Sequence, residues 1–265
     1  MQKIKLECTH DNSVARVILD DGKGNVLDSI MMSELNELLN SFKEKKDIKL
    51  ITFEGAGKHF SFGASVEEHK KENAPKMLKE FHQLFYNIAD LAIPTLAKIS
   101  GQCLGGGLEL ALICNFLFAD KTANLGQPEI LLGVFPPPAS VILPLKIGNA
   151  KAEELILTGK SISADEGKAI GLINAVFENK EEMDKNTDEW IVKNILNKSA
   201  SSLRITVKAS RITFNQQLRK MLPIVEEMYV KELMETDDAN EGINSFLEKR
   251  KPVWKNHKLI NNSRN

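Results

Sequence analysis

Cysteine is scarce in this chain. Cys8, Cys103 and Cys114 form no C-x-x-C pair, and an odd number without a pairing pattern suits a reducing compartment. Metal-binding spacing is missing as well. The five histidines (His10, His59, His69, His82 and His257) show no H-E-x-x-H or cysteine–histidine pattern, so no metal is expected. No G-x-S-x-G elbow offers a serine nucleophile. No apolar run reaches the ~18 residues of a membrane span. The opening "MQKIKLECTHDNSVARVILD" alternates charged and apolar residues and lacks the apolar centre of a signal peptide. Neither sign of charge is in excess, and a formal net charge of -1 gives no bulk attraction to nucleic acid or an anionic membrane. The expectation is a soluble, cytoplasmic protein with neither nucleic acid nor membrane as partner.

What the chain has is a globular composition, 42% hydrophobic and 27% charged over 265 residues, enough for one large domain or a core with an appendage. "VARVILD", residues 14–20, reads as a strand followed by the turn "DGKGN". Residues 29–46 have helical spacing, with Met32, Leu35, Leu38, Leu39 and Phe42 on one face and a solvated charge run, "KEKKD", at the end. "IKLITFEG" is a second strand, apolar enough to be buried on both sides. Residues 75–91 are again helical, and "IPTLAKISG" and "FLFAD" give a third and fourth strand. This alternation implies an α/β core with right-handed crossovers. Beyond about Pro144, "NAKAEELILTG", "SADEGKAIGL" and residues 181–197, 200–216 and 219–249 are mostly helical around one short strand, "INAVF". No linker marks a boundary. The division is drawn at residue 200, between a core, 1–200, and a C-terminal helical region, 201–265, suited to packing on a neighbouring subunit.

One segment carries chemistry. In "GQCLGGGLELALICN" three glycines, Gly105 to Gly107, open an apolar helix that holds a single carboxylate, Glu109. Bare backbone at a helix start lets a ligand approach closely, and the first N–H groups there have no partner within the helix. Such a site favours negative charge, either a phosphate or the oxyanion of a polarised thioester or ester. The phosphate version lacks its signatures, since no Lys-Ser or Lys-Thr follows the glycines and G-x-G-x-x-G is absent. A second acid, Glu129, stands in the apolar stretch "NLGQPEILLGVFPPP". Two carboxylates flanking a water can activate it and move a proton. In a further glycine loop, "GKHFSFGASVEEH", Gly63 and Ala64 can supply a second N–H donor, or serve as an ordinary turn.

"HFSFGASVEE", "PTLAKISGQCLGGGLELALICNFLFAD", "LGQPEILLGV", "LTGKSISADEGKAIGLINAVF" and "FLEKRKPVW", taken in order, resemble the crotonase superfamily, the enoyl-CoA hydratase/isomerase family, from about residue 5 to 254. The resemblance implies a spiral of repeated β-β-α units with C-terminal helices that pack trimers, two of which can stack into a hexamer. It implies an acyl-CoA thioester substrate, with CoA part of the substrate and no separate cofactor. The oxyanion donors fall on the N–H groups of Ala64 and Gly106, and the two hydratase glutamates on Glu109 and Glu129; which acts as acid and which as base stays open. Retention of both acids implies hydration. The 57–66 loop is expected to receive the adenine. Ser61, Gly63, Ser65, Val66 and Gly105 are the expected substrate or CoA contacts, and Lys23 together with Lys249 or Lys251 the cations near its phosphates.

Two departures narrow the resemblance. The family's frequent Gly-Ala-Asp reads Gly63-Ala64-Ser65, so an aspartate contact does not carry over. After Glu129 a glycine-rich run is replaced by "GVFPPPASVILP", which stiffens the loop and reshapes the acyl pocket. Both features are similar to the branch that hydrates cyclohexa-1,5-diene-1-carbonyl-CoA to 6-hydroxycyclohex-1-ene-1-carbonyl-CoA in anaerobic aromatic degradation. A flat ring then implies walls from Phe135, Pro137 and either Phe81 or Phe85, two residues that fit the core equally well. Two other readings remain: an aliphatic enoyl-CoA hydratase or isomerase, and a non-catalytic CoA- or RNA-binding homologue.

Overall fold

The structure, a computed structural model, describes residues 1–256; residues 257–265, which include His257 and end the 201–265 region, lie outside the described residues. The strands are β1 (Ile4–Thr9), β2 (Val14–Leu19), β3 (Leu50–Gly55), β4 (Thr95–Ile99), β5 (Gln102–Leu104), β6 (Phe116–Asp120), β7 (Asn124–Gly126), β8 (Ser161–Ser163) and β9 (Ala175–Phe177). The α-helices are α1 (Ser29–Ser41), α2 (Ala74–Leu91), α3 (Gly106–Leu112), α4 (Pro137–Ile147), α5 (Asn149–Thr158), α6 (Ala164–Ala169), α7 (Lys180–Ile191), α8 (Ala200–Ser210), α9 (Ile212–Lys231) and α10 (Asp237–Leu247).

A large sheet runs in the order β1-β2-β3-β4-β6-β9, with only the β1–β2 pair antiparallel, and a small sheet runs β5-β7-β8. Every residue of β3 and β4 is buried, as expected of strands covered on both faces. The chain repeats one unit. β4 in the large sheet is followed by β5 in the small one and then α3; β6 is followed by β7 and then, after a 3-10 turn, α4. Two earlier turns of the spiral are reduced to single bridges, Ser61 with Cys103 before α2 and Leu27 with Ala64 before α1. The spiral thus stacks the 61–64 loop on the glycine segment.

Local chemistry fixes the helices. Asp28 caps α1 by accepting from Met31 N–H at 3.0 Å, and Met31, Met32, Leu35, Leu38 and Leu39 turn inward. α1 ends at Ser41, short of the expected 46; a 3-10 turn follows, and residues 43–47 are exposed as a charge run should be. α2 stops where Ala92 takes a left-handed conformation, φ 50°.

Elsewhere the structure revises the reading. The proline stretch is no stiff loop: Pro137 and Pro138 open α4, where a missing N–H costs nothing. The C-terminal breaks fall at Arg211 and at residues 232–236, not near 217–218. Arg211 is held there by its guanidinium, which donates to the carbonyls of Ile113 at 2.6 Å and Cys114 at 2.9 Å, at the end of α3. The region beyond 200 also contributes to the main core, through Leu218, Leu222, Tyr229, Met234, Ala239 and Ile243.

Candidate active site

Gly105 precedes α3 with φ 49° and ψ -127°, a conformation that side-chain-bearing residues avoid. Its N–H donates to Gly126 O at 2.9 Å, tying the segment to β7. The facing loop is fixed by Ser61, whose hydroxyl donates to Asn25 O at 2.7 Å and accepts from Gly63 N–H at 3.1 Å. Gly63 O and Ser65 N–H then bond on either side of Ala64 to Leu27, at 2.9 and 3.2 Å. The two backbones nearly touch: a Cβ on Gly106 would lie 3.0 Å from Ala64 N, and one on Gly63 would lie 3.5 Å from Gly106 N. Among the described residues, neither Ala64 N–H nor Gly106 N–H makes a backbone hydrogen bond. Two free donors therefore lie on adjoining stretches of backbone.

Glu109 lies one turn into α3 and is 3% exposed. Its Oε1 accepts from Ala139 N–H at 2.8 Å. That partner follows from sequence: Pro136, Pro137 and Pro138 have no N–H, so Ala139 is the first donor at the start of α4, and the acid caps it. Burial, and after it the charge of Glu129, push the Glu109 carboxyl well above the usual range, against the opposing bond from Ala139. Glu129 sits on the 3-10 turn Pro128–Leu132, which Gly133 ends at φ 70°. It opens partly to the cavity, yet the protein packed around it raises its pKa to about 8. With its amide nitrogen turned toward the acid, buried Gln127 donates to both Glu129 carboxyl oxygens at 3.0 and 3.1 Å.

Both acids and both free amides border one cavity. Gly63, Gly105, Val66, Phe81, Phe135 and Pro137, all singled out in the sequence, line it. Phe85 instead lies in the core, edge-on to Phe81. Ser61 is a correction: wholly buried, it positions Gly63 and does not face the cavity. Ser65 is not in the lining either; its carbonyl accepts from His69 Nδ1 at 2.7 Å. Lys23 stands in a separate surface cleft with Lys58 and His59, on the other side of the exposed Phe62 ring. Lys249 lies exposed beyond α10 and borders neither space. Sequence reasoning missed Gln127, Ala139, His69 and Tyr229. Only Gln127, two places from Glu129, carried a signal.

An oxygen held by two N–H groups beside two proton-carrying acids is an arrangement for polarising a carbonyl and moving protons at neighbouring carbons. The enoyl-CoA hydratase/isomerase family matches residues 9–257. The chain is 41% identical over 253 residues to a cyclohexa-1,5-dienecarbonyl-CoA hydratase of Thauera aromatica, covering 96% of this chain and 97% of that protein. It is 32% identical to a probable mitochondrial enoyl-CoA hydratase of Dictyostelium discoideum, covering 88% and 83%. A crystal structure of an enoyl-CoA hydratase from Mycobacterium avium subsp. paratuberculosis superposes with a TM-score of 0.83 at 23% identity, over 95% of this chain and 98% of that one. The chain belongs to the enoyl-CoA hydratase/isomerase family and has the crotonase fold. No helix among the described residues is long and apolar enough to cross a membrane. No group of three or more His, Cys, Asp or Glu side chains among them is placed to hold a metal.

Proposed function

We propose that this protein is a hydro-lyase that adds water to a conjugated acyl-CoA. Its substrate is cyclohexa-1,5-diene-1-carbonyl-CoA, its product 6-hydroxycyclohex-1-ene-1-carbonyl-CoA, a step in the anaerobic breakdown of aromatic acids. The observation that carries this reading is the convergence of two free backbone N–H groups and two elevated carboxyls on one apolar cavity. Ala64 and Gly106 hold the thioester oxygen. Glu109 and Glu129 flank the attacking water, one ionised and accepting its proton, the other protonated and donating. Similarity to the Thauera protein and the ring-shaped walls Phe81, Phe135 and Pro137 favour the cyclic substrate.

The product constrains the chemistry. The thioester activates ring carbon 2, so the water oxygen bonds there and the electrons flow to the carbonyl oxygen, giving a dienolate. Protonation beside the thioester would leave the remaining double bond out of conjugation. The conjugated product requires the proton on carbon 5, across the ring. Removing one oxyanion donor from such a site typically costs ~2.7–4 kcal/mol of barrier.

CoA enters as part of the substrate and no further cofactor is assigned. Lys23 and Lys58 beside the second cleft suit its phosphates, and the 57–66 loop between the two spaces suits its adenine. A homo-oligomer, a trimer or a dimer of trimers, packs through the region beyond 200. Exposed Ile205, Ile212, Ile224 and Met228 on α8 and α9 support that assignment.

Incubation of purified protein with the cyclic dienoyl-CoA and with crotonyl-CoA tests the reading. Hydration of the ring is expected. Turnover of crotonyl-CoA alone would make the protein an aliphatic hydratase, and turnover of neither would leave isomerisation or a binding role.

A further inference from the structure

The cavity holds one more titratable side chain among the described residues, His69, on the 3-10 turn Val66–His69. The Ser65 carbonyl can only accept, so His69 Nδ1 carries the hydrogen in their 2.7 Å contact. Burial lowers the ring's pKa, which keeps it neutral and leaves Nε2 a bare acceptor. Beside it stands Tyr229 of α9, ring centres 6.5 Å apart, wholly buried and edge-on to Phe135 at 5.4 Å. The Tyr229 hydroxyl has no hydrogen-bond partner among the described residues. Burial, then the charges of Glu129 and Glu109, hold its proton in place.

A hydrocarbon ring asks for neither group, and an apolar side chain would pack against it with less desolvation. His69 lines the cavity and Tyr229 packs directly behind it, so the unprotonated nitrogen of one ring and the unpartnered O–H of the other offer one acceptor and one donor. A water molecule or an alcohol satisfies both. The reaction needs polar help here for a reason the ordinary acid pair does not cover: carbon 5 lies two bonds beyond the carbon next to the thioester.

We infer that His69 and Tyr229 are positioning residues that hold a relay water at the ring end of the cavity, directing the proton to carbon 5 instead of the carbon beside the thioester. The inference rests on the cyclic substrate proposed above. The step balances. The attacking water bonds its oxygen to carbon 2 and gives one proton to the ionised carboxylate. The other carboxyl gives its proton to the relay water, which passes one of its own to carbon 5. The carbon 5–carbon 6 electron pair forms the new C–H bond, the carbon 1–carbon 6 double bond forms, and the thioester carbonyl is restored. Nothing is oxidised or reduced.

Tyr229→Phe and His69→Leu test this, with His69→Asn restoring an acceptor. The deciding readout is the product mixture from the cyclic dienoyl-CoA, because a merely structural role would slow the enzyme without moving the proton. In both disruptive variants we expect kcat to fall about tenfold or more. The unconjugated isomer, 6-hydroxycyclohex-2-ene-1-carbonyl-CoA, should then form beside the normal product, and less of it with His69→Asn. A product that stays wholly conjugated in Tyr229→Phe and His69→Leu, at whatever rate, overturns the inference and leaves the hydratase reading intact. Should either variant fail to fold, the other decides by the same readout. A wild-type protein that leaves the ring untouched overturns the cyclic substrate and this inference with it.

Discussion

A Cβ placed on Gly105 would lie 2.7 Å from Oε1 of Glu129, so the bare backbone that frees the Gly106 N–H also makes room for the acid. Oxyanion donor and carboxyl are packed as one unit. Gly105→Ala should therefore displace Glu129 and strain a backbone held at φ 49°, at a cost of about 1–3 kcal/mol in stability. The expected result is a folded protein by circular dichroism with activity reduced at least about a hundredfold, the scale of losing one oxyanion donor.

Glu109→Gln and Glu129→Gln keep shape while removing the ability to exchange a proton. Each should lower kcat by ~10²–10⁴ with little change in KM. Glutamine at 109 still offers an oxygen to Ala139 N–H, so α4 should keep its cap and the melting temperature should not fall. Steady-state kinetics and thermal melts check both points.

The raised pKa of Glu129 makes stability depend on pH in a definite direction. Folding favours its neutral form, so the stability this gives is complete below the ordinary value of 4.5 and is lost as pH rises toward about 8. Glu129→Gln cannot ionise. Its melting temperature relative to wild type should rise between pH 5 and pH 9, and a constant or falling difference would contradict the assignment. Activity requires one acid ionised and the other protonated, so the rate should fall on both sides of an optimum shifted to the alkaline side of ordinary carboxyls.

Ala64→Pro deletes one donor at a position whose N–H makes no backbone bond. Because the neighbouring bonds of Leu27 run to Gly63 O and Ser65 N–H, the fold should survive. The predicted loss is ~10²–10³ in kcat, measured against a melting temperature that stays close to wild type.

How much of this is legible from sequence differs by element. β6 reads directly because "FLFAD" is a buried apolar run, and β2 nearly so; three-residue strands such as β5, β7 and β8 are too short to show a period. Both acids are visible as lone charges in apolar stretches. That Glu109 caps α4 is not, because it depends on three prolines withholding their N–H groups after the spiral has brought α4 over α3. His69 and Tyr229 meet only because α9 folds back onto the core, an outcome of long-range packing that local pattern does not record. Ser61 misled for the same reason: a serine in a ligand-facing loop was spent on holding Gly63.

The most direct test is a crystal structure with an unreactive cyclic acyl-CoA analogue. The account predicts the thioester oxygen 2.7–3.1 Å, or about a hydrogen bond's length, from both Ala64 N and Gly106 N, with the ring between Glu109 and Glu129. A thioester oxygen bound away from those two nitrogens, or a ring that leaves either carboxyl out of reach, would contradict it.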